Sequence, residues 1–393
     1  MKSFLLRFLR KFKGKNKVAN QLAFNAEIVI IDDIFPNPLS DWRVNEYLGY
    51  LKNFSDVLIF TGTIKNDNLY IPESYKDWLD SFLNKTKFSQ SRFHALQYNL
   101  KIDAKLGYCL FYNNLKYAFS IFEKNNIPFV FTLYPNGGFS IYDNECETQL
   151  SIFFSSRLFR HVIVNMPHVY DYIIQRFKLD INQITLIYGA PLNHSEQFLN
   201  NSNLVFNERI NVVFVAHKYS KYGIDKGLDV FVKVANHFRG NRKISFTIIG
   251  DYTQSDLVCT SDNLAIITAK NPEYLDDILK NYQIVLSPNR SHVLHYGSFD
   301  GFPTGSVVHA AFCGCMMMLT DSWDNANSIG LINNVDLVLI SDRPSEIVEK
   351  LSFFIDNPNE ISKIAENGSK KLKQLINCDD QIQKRLDIIN KYI

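Results

Sequence analysis

Two short stretches in the second half of this 393-residue chain hold the residues best suited to chemistry. The first reads Phe214-Val215-Ala216-His217-Lys218, then Asp225-Lys226-Gly227. An apolar run with helical spacing follows (Leu228, Val230, Phe231, Val234, Ala235), which places Lys226 at a helix N-terminus. Free backbone N–H groups and the helix dipole already favour an anion there. With His217 and Lys218 in the preceding turn, the stretch reads as a clamp for a diphosphate. A solvated lysine at a helix start is the plainer alternative, and the strand–turn–helix context favours the clamp. The second stretch is Asp300-Gly301-Phe302-Pro303-Thr304-Gly305-Ser306. Thr304 or Ser306 can cap the helix that follows, and Gly314 can end it in the left-handed conformation. The first helical turn would then present free N–H groups to a phosphate, with Asp300 placed to accept from sugar hydroxyls. An ordinary capped core helix is the competing reading. A third permissive turn, Asn136-Gly137-Gly138, follows an apolar run at 128–133. Glycine there allows close backbone approach to a ligand, and Tyr134 is expected to point into a cleft. A plain loop with a packed tyrosine is the alternative.

These turns need a scaffold, and short apolar runs alternate with helical periodicity along the chain. Strands are expected at 27–32, 56–60, the start of 106–122, 128–133, 161–165 and 184–188. Helices are expected at 42–54, the rest of 106–122, 146–160 and 169–177. From 189 to 209 the composition shifts to Asn, Ser and Pro, as in a linker. The pattern restarts with strands at 210–216, 244–250, 264–268, 283–287, 315–320 and 336–340. Helices are expected at 226–239, 272–281, 305–313, 344–355 and 358–375, with an amphipathic tail from 379 to 392. Such alternation implies α/β folding with doubly wound parallel sheets. Two halves of similar size imply a cleft between them, with ligands at the carboxyl ends of strands. The expected boundaries are a basic segment at 1–24, a first domain at 25–195, a second at 205–376 and a terminal helix at 377–393 that could pack back on the first.

Charge excludes one class of partner. The chain has 42 Lys/Arg and 40 Asp/Glu, but seven of the bases and no acid lie in residues 1–17. The remainder holds 35 bases against 40 acids, a net −5, so the body is no polyanion binder and nucleic acid is not an expected partner. In residues 1–17, Phe4, Leu5, Phe8, Leu9 and Phe12 share one helical face while Arg7, Lys11 and Lys15 lie elsewhere. That pattern suits an interfacial anchor on an anionic membrane, a disordered basic tail being the alternative. No apolar run reaches the ~18–20 residues that span a bilayer. The six cysteines are scattered, without metal-type spacing, and read as reduced cytoplasmic thiols. No Asp-x-Asp, His-Glu-x-x-His, Walker loop or Gly-x-Ser-x-Gly elbow occurs.

The ordered set resembles the GT-B glycosyltransferases, specifically the family 4 type of bacterial polysaccharide and lipopolysaccharide synthesis. Phe214–Lys218 with Asp225–Gly227 is similar to that family's Gly-Arg…Lys-Gly segment, and Asp300–Gly314 to its Glu-Gly-Phe…Glu-Ala-x-x-x-Gly segment. The resemblance covers about residues 210–375 best and implies two Rossmann-like domains facing a central cleft. It implies transfer of a sugar from a nucleotide diphosphate to a lipid-linked or growing surface polysaccharide, with retention and without a metal or other cofactor. Lys226 would hold the diphosphate and Asp300 the donor sugar. Tyr134 stands where the family has a histidine, and these three are the catalytic candidates. His217, Lys218, Gly227, Gly301, Phe302, Pro303, Thr304, Gly305, Ser306 and His309 would line the donor site. Asn136, Gly137 and Gly138 would line the acceptor side. Asp300 and His309 have eight residues between them where the family's glutamates have seven, and His309 replaces the second glutamate. That change, with Tyr134, motivates a second hypothesis, a non-catalytic subunit that binds a partner transferase or glycan. A nucleotide-sugar epimerase of similar architecture is a third. The expected place is the cytoplasmic face of the inner membrane.

Overall fold

The computed structural model describes residues 23–65, 68–192, 209–257, 261–268 and 275–393. The basic segment at 1–17 and most of the 189–209 linker lie outside the described residues.

The first sheet is built from β1 (Ala23–Asp32), β2 (Val57–Thr61), β5 (Phe93–Ala95), β6 (Lys101–Leu110), β7 (Phe129–Leu133), β8 (Phe159–Val164) and β9 (Ile184–Leu186). A two-stranded hairpin, β3 (Thr63–Lys65) and β4 (Asn68–Tyr70), branches from it after β2. Strand order is β5-β2-β1-β6-β7-β8-β9, all parallel. Every residue of β2 and β7 is buried. Continuous burial is the mark of strands covered on both faces, and it explains why these runs are solidly apolar rather than alternating. The covering helices are α1 (Asp41–Asn53), α2 (Tyr75–Thr86), α3 (Tyr112–Asn125), α4 (Asn144–Phe154) and α5 (Pro167–Phe177). Much of the aromatic content packs here, as in the Phe122–Phe129 stack with centroids 5.7 Å apart.

The second sheet contains β10 (Ile210–Val215), β11 (Ile244–Ile249), β12 (Leu264–Ile267), β13 (Ile284–Ser287), β14 (Met316–Thr320) and β15 (Val338–Ile340). Its parallel order is β12-β11-β10-β13-β14-β15. Its helices are α6 (Leu228–His237), α7 (Leu275–Leu279), α8 (Gly305–Phe312), α9 (Asn325–Ser328), α10 (Pro344–Asp356) and α11 (Pro358–Leu375). The last helix, α12 (Cys378–Asn390), leaves this half and packs on α1. Each sheet reverses its order beside its first strand, between β1 and β6 and between β10 and β13.

The expected strands and most expected helices are present. Among the α-helices and β-strands described, the hairpin, α2, β5 and the four-residue α9 were not anticipated. All are short or weakly patterned, and β5 adds only three residues at a sheet edge. The helix expected over 146–160 stops at Phe154, because Ser156 and Arg157 turn the chain into β8. No helix among the described residues is long and apolar enough to cross a membrane.

Candidate functional site

The two cleft-facing turns of the second sheet meet at Lys226 and Asp300. Lys226 ends a short 3-10 segment (Lys221–Lys226), and Gly227 caps α6 with φ 73°. The lysine therefore sits just before the helix rather than in its first turn. Its ammonium forms an ion pair with the Asp300 carboxylate and lies 5.0 Å from the centre of the Tyr219 ring. Lys226 is only 6% exposed. Burial alone would push its pKa down, but the charge and hydrogen bond of Asp300 hold it above the usual lysine value. Asp300 is shared: Asn136 of the first half donates to Oδ1, and Asn289 donates to Oδ2 at 3.0 Å. Asn289 follows β13, so the cluster lies at the carboxyl ends of β10 and β13, where the strand order reverses. Nothing lies within 4 Å of where a Cβ on Gly305 would project, and Gly301 is nearly as open. The first turn of α8 thus faces free space beside the ion pair.

Other anticipated residues take different roles. Lys218 does not face this cluster as a second clamp. Its ammonium contacts both carboxylate oxygens of Asp256 at 3.1 Å, and its backbone N–H donates to Asp251 at 2.7 Å. Asp256 is held below the usual carboxylate range by the Thr253 backbone N–H and by Lys218, which outweigh its burial. His217 is half-exposed, 3.8 Å from Asp251. Ser306 is spent on the Val215 carbonyl at 2.8 Å, tying α8 to the end of β10, and Thr304 occupies the N-cap position without a side-chain cap bond. Phe302 is buried and its carbonyl accepts from Tyr188; Pro303 continues this packed turn. Gly314 ends α8 with φ 98°, as the sequence suggested.

Tyr134 does not point into the cleft. It is buried, and its hydroxyl donates to Glu46 at 3.0 Å and accepts from Arg385 at 2.8 Å. The cause is α12, whose fully buried Arg385 fills the space beneath the strand end. Gly137 and Gly138 are required by the protein itself: a Cβ would meet Phe111 at 2.5 Å and Asn113 at 2.2 Å. His309 faces Asp276, its Nε2 hydrogen-bonded to that carboxylate. Burial would lower its pKa, but Asp276 raises it above the usual histidine value.

Comparison with known proteins gives this geometry a family context. Residues 231–387 match the sequence profile of the family described as glycosyl transferase-like. A glycosyltransferase from Rickettsia africae superposes with a TM-score of 0.63 at 12% identity, over 95% of this chain and 99% of that one. The chain has the GT-B glycosyltransferase fold. HepE from Anabaena, solved with UDP and glucose, superposes at 0.61 and 12% identity, covering 92% of this chain and 99% of HepE. Sucrose-phosphate synthase from Thermosynechococcus elongatus gives 0.62 at 12% identity, over 93% and 98% of the two chains. No curated protein sequence matches.

Within this GT-B frame, several site residues carried no motif. Asn289 lies two residues beyond β13, outside any motif. Tyr219 lies inside the cationic turn. Arg290 is fixed by Asp229 at 2.9 and 3.3 Å and by Asp342 at 3.0 Å, so it braces the turn that carries Asn289. On the opposite wall, Arg43 donates to Asp32 and Asp33, both at 2.7 Å, and Asn114 donates to Asp33 at 3.2 Å. Chemically the arrangement offers a buried ammonium, a shared carboxylate and a helix start with open space at Gly305.

Proposed function

We propose that this chain transfers a sugar from a nucleotide diphosphate donor to a lipid-linked or growing surface-polysaccharide acceptor, with retention and without a metal at the diphosphate. The observation that carries this reading is the buried Lys226 ammonium paired with Asp300 beside the open first turn of α8. A departing diphosphate develops charge at its oxygens, and a fixed cation plus free N–H groups stabilise that charge without reorganisation. Asp300 keeps Asn136 and Asn289 when Lys226 turns to the diphosphate, so it stays oriented toward the sugar hydroxyls. The pocket beside Asp300, lined also by Asn289, Phe302, Thr320 and Trp323, holds only about 30 Å³. Seating a sugar there therefore requires the residues around Asp300 to shift. The basic, amphipathic residues 1–17 support a site of action on the anionic cytoplasmic face of the membrane, where a lipid-linked acceptor would be presented. HepE, crystallised with UDP-glucose, makes UDP the first donor base to try. His309, turned onto Asp276, favours the second reading, a non-catalytic subunit, since it is not free to meet a nucleotide.

A panel of UDP, GDP, dTDP, CDP and CMP in thermal-shift assays separates the two. A nucleotide at ~100-fold over its dissociation constant adds about 2.7 kcal/mol of stability. The expected result is a selective shift in wild type that is lost in Lys226→Ala, with sugar transfer down ~10²–10³-fold in the variant. Absence of any shift with any nucleotide would leave only the non-catalytic reading.

A further inference from the structure

A second cluster of unlike side chains lies away from the Lys226–Asp300 pair. Asp276 sits in the first turn of α7, and His309 and Cys313 lie one turn apart at the end of α8. The carboxylate, imidazole and thiol ligand atoms all lie within 4.8 Å of one another. His309 Nε2 is bonded to Asp276 Oδ1, and Cys313 Sγ is 4.0 Å from the same oxygen. The i, i+4 spacing puts imidazole and thiol on one face of the helix, aimed at the neighbouring α7. Asp41, at the start of α1, brings a second carboxylate close enough to act electrostatically on both His309 and Asp276. A carboxylate and a thiol thus converge on a single imidazole, which is more donor capacity than one ion pair uses.

We propose that Asp276, His309 and Cys313 bind one divalent ion of the zinc class. One oxygen, one nitrogen and one sulfur form a borderline-soft set that suits zinc better than magnesium or calcium. Bonds of ~2.0–2.3 Å place tetrahedral ligands roughly 3.3–3.7 Å apart, so the ion would part His309 Nε2 from Asp276 and draw the Cys313 thiol, now 4.0 Å from that carboxylate, slightly inward. A fourth position is open to water. The ion takes no part in sugar transfer. It clasps α7 to α8, the helix whose first turn carries the donor-site glycines, and it accounts for His309 being turned toward Asp276.

Cobalt(II) titration of the chelator-treated full-length chain tests this. The expected result is a thiolate-to-cobalt charge-transfer band that saturates at one ion per chain and is bleached by zinc. The band should vanish in Cys313→Ala and persist in Cys378→Ala, whose thiol lies on α12. Zinc should raise the melting temperature of wild type and not of Asp276→Asn. If Cys313→Ala does not fold, Asp276→Asn serves in its place. Loss of a ligand should weaken cobalt binding by at least about tenfold, the cost of losing an outer-shell partner. No band in wild type, a band that survives Cys313→Ala, or unchanged affinity in Asp276→Asn would overturn the proposal. Metal uptake is read without donor or acceptor, so this result stands apart from the fate of the transferase reading.

Discussion

Both sheets reverse their strand order beside their first strand, and the two crevices so formed are filled in opposite ways. In the first sheet, Asp32 ends β1 fully buried. It accepts from the backbone of Ile34 and Phe35 at 3.0 and 2.8 Å, and from Arg43 and Tyr47 at 2.7 Å each. Burial raises its pKa and Arg43 opposes that rise. Every partner is a fixed part of the protein, so the crevice is closed. In the second sheet, Lys226 pairs with a carboxylate that has two further donors and lies beside open glycines. Its partner can be exchanged for a ligand's charge without orphaning Asp300. The difference shows how one topology can yield a structural plug at one switch point and an exchangeable ion pair at the other.

The first half extends its sealed chemistry through Glu46 and Arg385, both fully buried. Glu46 accepts from Tyr50 at 3.1 Å, from Tyr134 at 3.0 Å and from Tyr108. Arg385 Nε lies 3.2 Å from Glu46 Oε2, an ion-pair distance without the alignment of a hydrogen bond. Breaking a buried pair by removing one partner leaves an uncompensated charge and costs about 3–5 kcal/mol. Arg385→Met should therefore lower stability by that amount in urea unfolding. The double variant Glu46→Leu/Arg385→Met should lose less than Arg385→Met alone. A double variant at least as unstable as the single one would mean that the pair contributes more than it costs to bury.

A pH experiment separates the halves next. His161, in β8, bonds Thr185 at 2.9 Å and Tyr392 at 3.3 Å. Burial and nearby Lys391 push its pKa down to about 4. The unfolded imidazole titrates near 6.5, so this contribution is whole above about pH 6.5 and is lost as pH falls toward 4. At ~1.36 kcal/mol per pH unit the loss approaches roughly 3 kcal/mol. His161→Gln should lose less stability than wild type between about pH 7 and pH 4.5. Parallel losses in the two proteins would show that the imidazole does not drive the acid sensitivity.

How much of this was legible in the sequence follows from range. The strands of both sheets were readable because burial on both faces makes each a solid apolar run. The Lys226 and Asp300 turns were readable because Gly227 and Gly305 mark backbone that a side chain would disturb or that must stay open. Gly227 has φ 73°, and a Cβ there would lie 2.1 Å from the Pro288 carbonyl oxygen. What could not be read were partners distant in the chain. Tyr134 looks like a cleft residue until α12 brings Arg385 to it from 251 positions away. Lys218 looks like a phosphate ligand until Asp256 is placed beside it. His309 looks like a nucleotide contact until α7 supplies Asp276. Gly227→Ala tests the legible part. It should destabilise by about 2 kcal/mol from the left-handed backbone alone, with a larger loss of nucleotide binding because Lys226 is displaced. An unchanged melting temperature would mean that the loop relaxes around the methyl group.

The smallest expected effect gives the finest distinction, because it compares two lysines of one turn. Lys218 is about one-third exposed, and its pair with Asp256 is near the surface. Such pairs contribute about 0.2–1 kcal/mol, and salt screens them. Lys218→Ala should therefore change stability by no more than about 1 kcal/mol and leave the nucleotide-dependent thermal shift largely intact. Lys226→Ala should abolish that shift, since it removes the buried ammonium that pairs with Asp300 at the crevice. If Lys218→Ala removes the shift as fully as Lys226→Ala, the Asp256 pair must open on donor binding. The turn would then deliver two cations rather than one, and the second crevice would be more exchangeable than the present ion pairs indicate.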